Sequence, residues 1–241
     1  TLRKGFRQIL RDSQANGDSM VEFLGSCLAH EIEGRHQSAM AARMKQAKFP
    51  AVKTLDGFDF AAVPTLDKAK ILALADGSFI RERENLVLLG NSGLGKTQLA
   101  IGLGVRAVQA GYRVRFVTVP ALVQELIQAE REFRLPKLLK SWDKVDLLIA
   151  DELGYVGLGP GGPLLFQLFA QRYEKSSLII TSNLEFSRWA EVFGDATMTA
   201  ALLDRLTHHV HAFVLTGQSY RLKQSKMRSG VMKTNAEAHL D

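Results

Sequence analysis

Apolar residues recur along this chain with two periods, and the change from one to the other divides it. From Met20 to about Lys48 they fall at Phe23, Leu24, Cys27, Leu28, Ile32, Ala39, Met40 and Met44, a spacing that predicts a helix ended by Pro50. A shorter amphipathic helix is expected from about Leu66 to Asp76, after punctuation at Gly57 and Pro64. Beyond it short apolar runs alternate with helical stretches. ENLVLLG, YRVRFVTV, VDLLIAD, SLIITSN and HHVHAFVLTG read as strands; GKTQLAIGLGVRAVQAG, ALVQELIQAEREF, PKLLKSWDK, PLLFQLFAQRYEK, LEFSRWAEVF and AALLDRL read as helices. That alternation predicts an α/β fold, a parallel sheet flanked by helices. The expected organisation is a small helical N-terminal domain over 1–52, a linker over 53–64, an α/β domain over 65–223 and a flexible basic tail over 224–241.

Composition narrows the class. Of 241 residues 46% are hydrophobic, enough for a sizeable core, yet no apolar run approaches the roughly 20 residues of a membrane span. The opening TLRKGFRQIL lacks the apolar centre of a signal peptide, so a cytoplasmic protein without membrane contact is expected. Residue 1 is Thr, which suggests a sequence trimmed at its start. The single Cys27 excludes an internal disulfide or a cysteine-based zinc cluster. A formal charge of +6 favours an acidic partner such as nucleic acid, although the excess is spread unevenly and is smallest across 81–215.

The strongest chemical signal is GNSGLGKT, which follows a predicted strand and opens a predicted helix. Backbone N–H groups there can wrap a phosphate chain, because Gly93 and Gly95 allow the dihedrals and the helix N-terminus favours an anion. The ATP-binding residues are therefore expected to be Gly90, Asn91, Ser92, Gly93, Leu94, Gly95, Lys96, Thr97 and Gln98. Lys96 would reach the β and γ phosphates, and Thr97 would offer a hydroxyl to Mg²⁺. The apolar strand VDLLIAD then ends in adjacent carboxylates that must point to different places. Asp151 would orient the Mg²⁺ shell, and Glu152 would polarise a water for in-line attack on the γ phosphate. SLIITSN ends in Asn183, expected either to position that water or to cap the following helix.

Taken together, GNSGLGKTQLA, DLLIADELGY, LLFQLFAQRYEKSSLIITSNLEFSRWAEVFGD, ALLDRLTHHVH and GQSYRLK closely resemble the IstB-like AAA+ ATPases, helper proteins of insertion-sequence transposases and relatives of the DnaC helicase loaders. The resemblance runs from about Leu55 to Lys223. It implies an AAA+ core, ATP-dependent self-assembly into a homo-oligomer on double-stranded DNA, and delivery of target DNA to a cognate transposase. It also implies that Glu152 is the general base, Asn183 the first sensor, and Arg205 an arginine finger acting on a neighbouring subunit. Phe58 and Phe60 lie where the family's linker approaches adenine. In that family the insertion before the acidic strand faces DNA, which here assigns Arg131, Arg134, Lys137, Lys140 and Lys144 to phosphate contacts, with Pro136 interrupting the helix. The chain departs from the family's relatives in having no full C-terminal lid, with Arg221 as the candidate for the missing second sensor.

Alternatives remain open on the residues alone. A DnaC-like replicative helicase loader would use the same ATPase and favour single strands. A non-enzymatic scaffold would bind ATP without needing its hydrolysis. His208, His209 and His211 could form a metal module, but neighbouring histidines on a helix diverge and a further ligand is undefined.

Overall fold

A computed structural model describes residues 2–217 and residue 219. Two helices lead, α1 (Leu2–Asn16) and α2 (Met20–Ala47), followed by α3 (Lys68–Leu74) and α4 (Ser78–Arg81). The α/β part then runs β1 (Asn85–Gly90), α5 (Lys96–Gln109), β2 (Val114–Thr118), α6 (Val119–Arg131), α7 (Leu135–Trp142), β3 (Leu147–Leu153), α8 (Gly162–Arg172), β4 (Ser177–Ser182), α9 (Trp189–Phe193), α10 (Ala196–Thr207) and β5 (Val210–Leu215). The described strands form one parallel sheet in the order β2-β3-β4-β1-β5. β4 thus lies between β1 and β3, as the sequence requires if their C-terminal ends are to share a site.

Side chains alternate across the sheet, which explains why the strands read as unbroken apolar runs. Leu86, Leu88, Ile149 and Ile179 face α5, α3 and α4, where Leu99, Leu103, Ile71 and Phe79 are buried. Val87, Leu148, Ala150 and Ile180 face the other side, against Leu122, Leu126, Leu165, Leu168 and Trp189. Burial on both faces matches a parallel sheet covered by helices.

The helical N-terminus begins with an element the sequence did not announce, α1, which packs on α2 through Phe6 and Phe23 with ring centroids 5.7 Å apart. α2 starts where expected because Ser19 and Glu22 cap it reciprocally, Ser19 N donating to Glu22 Oε2 at 2.7 Å and Glu22 N to Ser19 Oγ at 3.4 Å. Its end is not free: Ala47 is buried in the core and Phe49 meets Phe116 of β2. Residues 53–64, expected as a linker, are packed chain, with Leu55, Phe58 and Val63 buried in the same core as α5. The helix expected over Leu66–Asp76 forms as α3, and a further short helix, α4, follows it after Gly77, whose φ of 84° only glycine adopts readily. The proposed tail over 224–241, Arg221 and any lid beyond β5 lie outside the described residues. Among the described residues no helix is long and apolar enough to cross a membrane.

One buried cation ties the insertion to the sheet. Arg172, at the end of α8, is 2% exposed, donating Nη1 to Trp142 O and Nη2 to Val145 O, each at 2.9 Å. Burial pushes its pKa down to about 10, opposed by the nearby carboxylates of Asp143 and Asp146, so the guanidinium stays charged at neutral pH. Arg172→Ala strips both carbonyls of their donor and is expected to cost about 3 kcal/mol. Urea unfolding monitored by circular dichroism checks it; a midpoint unchanged at equal slope contradicts the assignment.

Candidate functional site

The loop 91–95 leaves the end of β1 and enters α5 at Lys96. Gly93 and Gly95 have φ of 85° and 86°, and a Cβ at Gly95 would lie 2.8 Å from Cε2 of Phe58. Gly95 therefore satisfies both a left-handed backbone and a close approach. No side chain caps the start of α5, leaving its first N–H groups available to an anion. The Lys96 ammonium folds back over the loop, donating to Gly90 O at 2.6 Å and Asn91 O at 2.9 Å while only 6% exposed. Gln98 Nε2 donates to Gly57 O at 2.9 Å and fastens the 53–64 segment against α5. Phe58 meets Phe60 edge to face at 4.8 Å. The resulting cleft, ≈ 440 Å³, is lined by Phe58, Ser92, Leu94, Lys96, Glu152 and Tyr155 among others, within the size range of small-molecule sites.

Behind Thr97 and Thr181, which line this cleft, Asp151 is buried at 3% exposure. Thr97 Oγ1 donates to it, 2.9 Å from Oδ1 and 3.1 Å from Oδ2, and Thr181 Oγ1 of β4 donates to Oδ1 at 2.6 Å. Glu152 points elsewhere, onto the cleft wall. The pairing of β3 with β4 slips between Ala150 and Leu153, and Glu152 takes a φ of 67°, so two adjacent carboxylates diverge as their sequence position demands. The donor set suits a small hard cation beside a phosphate chain, since Thr97 and Asp151 bring a hydroxyl and a carboxylate to one point next to the loop.

Asn183 follows β4, in the gap between β1 and β3, but does not line the cleft. Its Oδ1 is buried without a hydrogen-bond partner among the described residues. It does not cap the next turn either: Glu185 occupies that position, without a side-chain cap.

Arg205 of α10 lies half-buried with its guanidinium carbon 5.6 Å from the centre of the Phe166 ring of α8, because a flat cation gains by covering an aromatic face. It lines a small recess with Asn85 and Leu178, the N-terminal ends of β1 and β4. Its own phosphate loop stands at the opposite ends of those strands, roughly 17 Å away for a strand of this length, so it cannot serve that loop. Leu202 and Leu206 are buried in the core, with Leu203 partly buried against it. His211 Nε2 lies 2.8 Å from Glu84 Oε2, His208 and His209 meet edge to face with ring centroids 4.4 Å apart, and no group of three or more His, Cys, Asp or Glu placed to hold a metal ion occurs among the described residues.

The cations assigned to DNA are all exposed. Lys137 and Lys140 stand on α7 with Lys144 just beyond it, while Arg131 ends α6 and Arg134 precedes α7. Arg134 is engaged by Glu132, its Nε 2.7 Å from Oε2. The turn between the helices carries a residue that composition alone passes over: Phe133, 95% exposed with φ of 54°. Thr181 and Tyr155 were likewise unannounced, their only sequence signal being a polar residue closing an apolar run and an aromatic just past the acidic pair.

Comparison with known proteins agrees with this geometry. A family described as IstB-like ATP binding protein matches residues 1–228, extending the likeness through the N-terminal helices. The IS21 ATP-binding protein of Pseudomonas aeruginosa is 45% identical over 215 residues, 89% of this chain and 81% of its own. That of IS5376 from Geobacillus stearothermophilus is 41% identical over 216 residues, 89% and 86%. Among solved structures, the DnaC helicase loader superposes with a TM-score of 0.53 at 22% identity, covering 61% of this chain and 87% of that one. DnaI gives 0.56 at 20%, covering 68% and 91%. The core is thus a P-loop AAA+ fold.

Gly95→Ala forces a methyl against Phe58 at a positive φ, so it is expected to weaken binding of a fluorescent ATP analogue by about tenfold or more. Fluorescence titration checks it; affinity equal to that of the unaltered chain would mean that the loop does not hold the phosphates.

Proposed function

The chain belongs to the IstB-like ATP binding protein family, and on that premise we propose that it is a Mg²⁺-dependent ATPase that assembles on duplex target DNA and serves a cognate transposase. The observation that carries this reading is the meeting of the phosphate loop, Thr97 and Glu152 at one cleft, with Asp151 bonded to Thr97 directly behind its wall. ATP enters with its phosphates on the loop N–H groups, and Lys96 exchanges the Gly90 and Asn91 carbonyls for β and γ phosphate oxygens. Mg²⁺, held by Thr97 and Asp151, would supply charge neutralisation between those phosphates. Glu152 takes a proton from a water as its oxygen attacks the γ phosphorus and ADP leaves; Asn183, which does not line the cleft in this structure, orients that water once its side chain turns inward. Arg205 completes the site of a neighbouring copy, a role consistent with its distance from its own loop. Nucleotide at a shared site then acts as an assembly switch.

The helical module over 1–52 serves oligomer, DNA or partner contacts, a reading supported by Val21, Leu24, Leu28 and Ile32, which lie exposed along α2. Residues 65–223 are the ATPase domain, and the setting is the bacterial cytoplasm, where ATP and DNA are found together. The insertion-sequence relatives at over 40% identity favour transposition over helicase loading, since the loader structures share the fold at about half that identity. Phe133 joins the DNA-facing cations as a wedge between base steps.

Mixing variants tests the shared site. Arg205→Ala and Lys96→Ala are each expected to lose turnover by about a hundredfold or more. Mixed in equal amounts they should regain activity, because the intact site of one meets the intact arginine of the other; a mixture no more active than its components would refute the trans assignment. A second measurement follows duplex binding against salt. Replacing Lys137, Lys140 and Lys144 with Ala should lower the log–log slope by about 2 to 3, while Phe133→Ala should weaken binding with the slope unchanged. Tighter binding to single strands than to duplex would favour the loader reading.

A further inference from the structure

We propose that Thr181 is a positioning residue for hydrolysis, acting on the attacking water through Glu152 and on the cation site through Asp151. The inference rests on the ATPase reading above and adds a residue that this reading does not use. Thr181 lies in β4, paired with Leu88 of β1 and only 1% exposed, in a strand otherwise built of Leu178, Ile179 and Ile180 before it. A hydroxyl buried in such a place must find partners within the fold. It finds two, and both belong to the acidic pair: Oγ1 donates to Asp151 Oδ1 at 2.6 Å and accepts from the backbone N–H of Glu152 at 2.9 Å.

The second bond falls where the sheet fails. Strand pairing between β3 and β4 breaks between Ala150 and Leu153, so the Thr181 hydroxyl takes up the Glu152 N–H. Glu152 is also held at a φ of 67°, a conformation that persists at a residue with a side chain only when its surroundings over-determine it. That backbone turn is what brings Glu152 to the cleft wall while Asp151 stays buried behind Thr97 and Thr181.

The hydroxyl has one proton, and it goes to Asp151; its lone pair is taken by Glu152. The two bonds are therefore mutually ordered, and one side chain sets the angle between the group that holds the cation and the group that accepts the proton. Removing the hydroxyl while keeping the shape unlocks Glu152 without touching the phosphate loop. Affinity for nucleotide should survive, and the chemical step should not.

The test compares the full chain with Thr181→Val, Thr181→Ser and Glu152→Gln, measuring kcat, KM and the affinity for a non-hydrolysable ATP analogue. Thr181→Val is expected to lower kcat by about tenfold or more with analogue affinity within about threefold, and Thr181→Ser to restore kcat to within about threefold. A kcat for Thr181→Val close to that of the unaltered chain overturns the proposal. So does a loss of analogue affinity that parallels the loss of kcat, or a serine variant as slow as the valine one, since either makes Thr181 a packing residue. If the valine variant does not unfold cooperatively on heating, Thr181→Ala is read by the same criteria. Glu152→Gln separates the two levels: if it turns over ATP at the rate of the unaltered chain, the ATPase reading fails independently of Thr181.

Discussion

One buried carboxylate organises the C-terminal edge of the sheet. Asp151 receives a hydroxyl from Thr97 at the start of α5 and another from Thr181 in β4, so three elements far apart in the chain, α5, β3 and β4, are joined at a single point. A carboxylate out of water is costly unless its oxygens are hydrogen-bonded, and this constraint dictates what may surround it. β4 must lie between β1 and β3 to deliver Thr181, the loop after β1 must bend back over the strand ends to deliver Thr97, and the chain after Asp151 must turn aside to leave room. The strand order and the positive φ of Glu152 are two consequences of one requirement.

From there the remaining parts take their places. The 53–64 segment closes the cleft from above because Phe58 fits only over a residue without a side chain at position 95. Gln98 then fastens it by a bond to Gly57. At the far side, Arg172 holds the C-terminus of α7 to the base of the sheet, so the insertion that carries the exposed cations is mechanically continuous with the strand that ends in the acidic pair.

Much of this was legible in the chain. The strands announced themselves because a parallel sheet buries both faces, which turns each into an apolar run, and the phosphate loop was legible because glycine spacing, lysine and threonine each have one physical task. The rest depended on contacts between distant residues. α1 carries its pattern in little more than Phe6, Ile9 and Leu10 among charged neighbours, and becomes a helical hairpin only against Phe23. The extra helix α4 depends on Gly77 at a φ of 84°, where a Cβ would lie 2.8 Å from the Tyr112 ring. Thr181 is two positions from Asn183, and nothing in SLIITSN says which polar residue meets the acids. Arg205 was legible as an unusual cation on an amphipathic helix, but its rest position over Phe166 follows from the packing of α8 beside α10.

The distance between Arg205 and its own phosphate loop opens the proposed sharing of catalysis between copies to a direct measurement. ATP turnover per protomer is followed as total protein concentration rises, with Mg²⁺ and duplex DNA in excess. A shared site predicts that turnover per protomer climbs with concentration and levels off once assembly is complete. Turnover per protomer that is constant from the most dilute solution upward would mean that one chain holds a complete site, and would contradict the account.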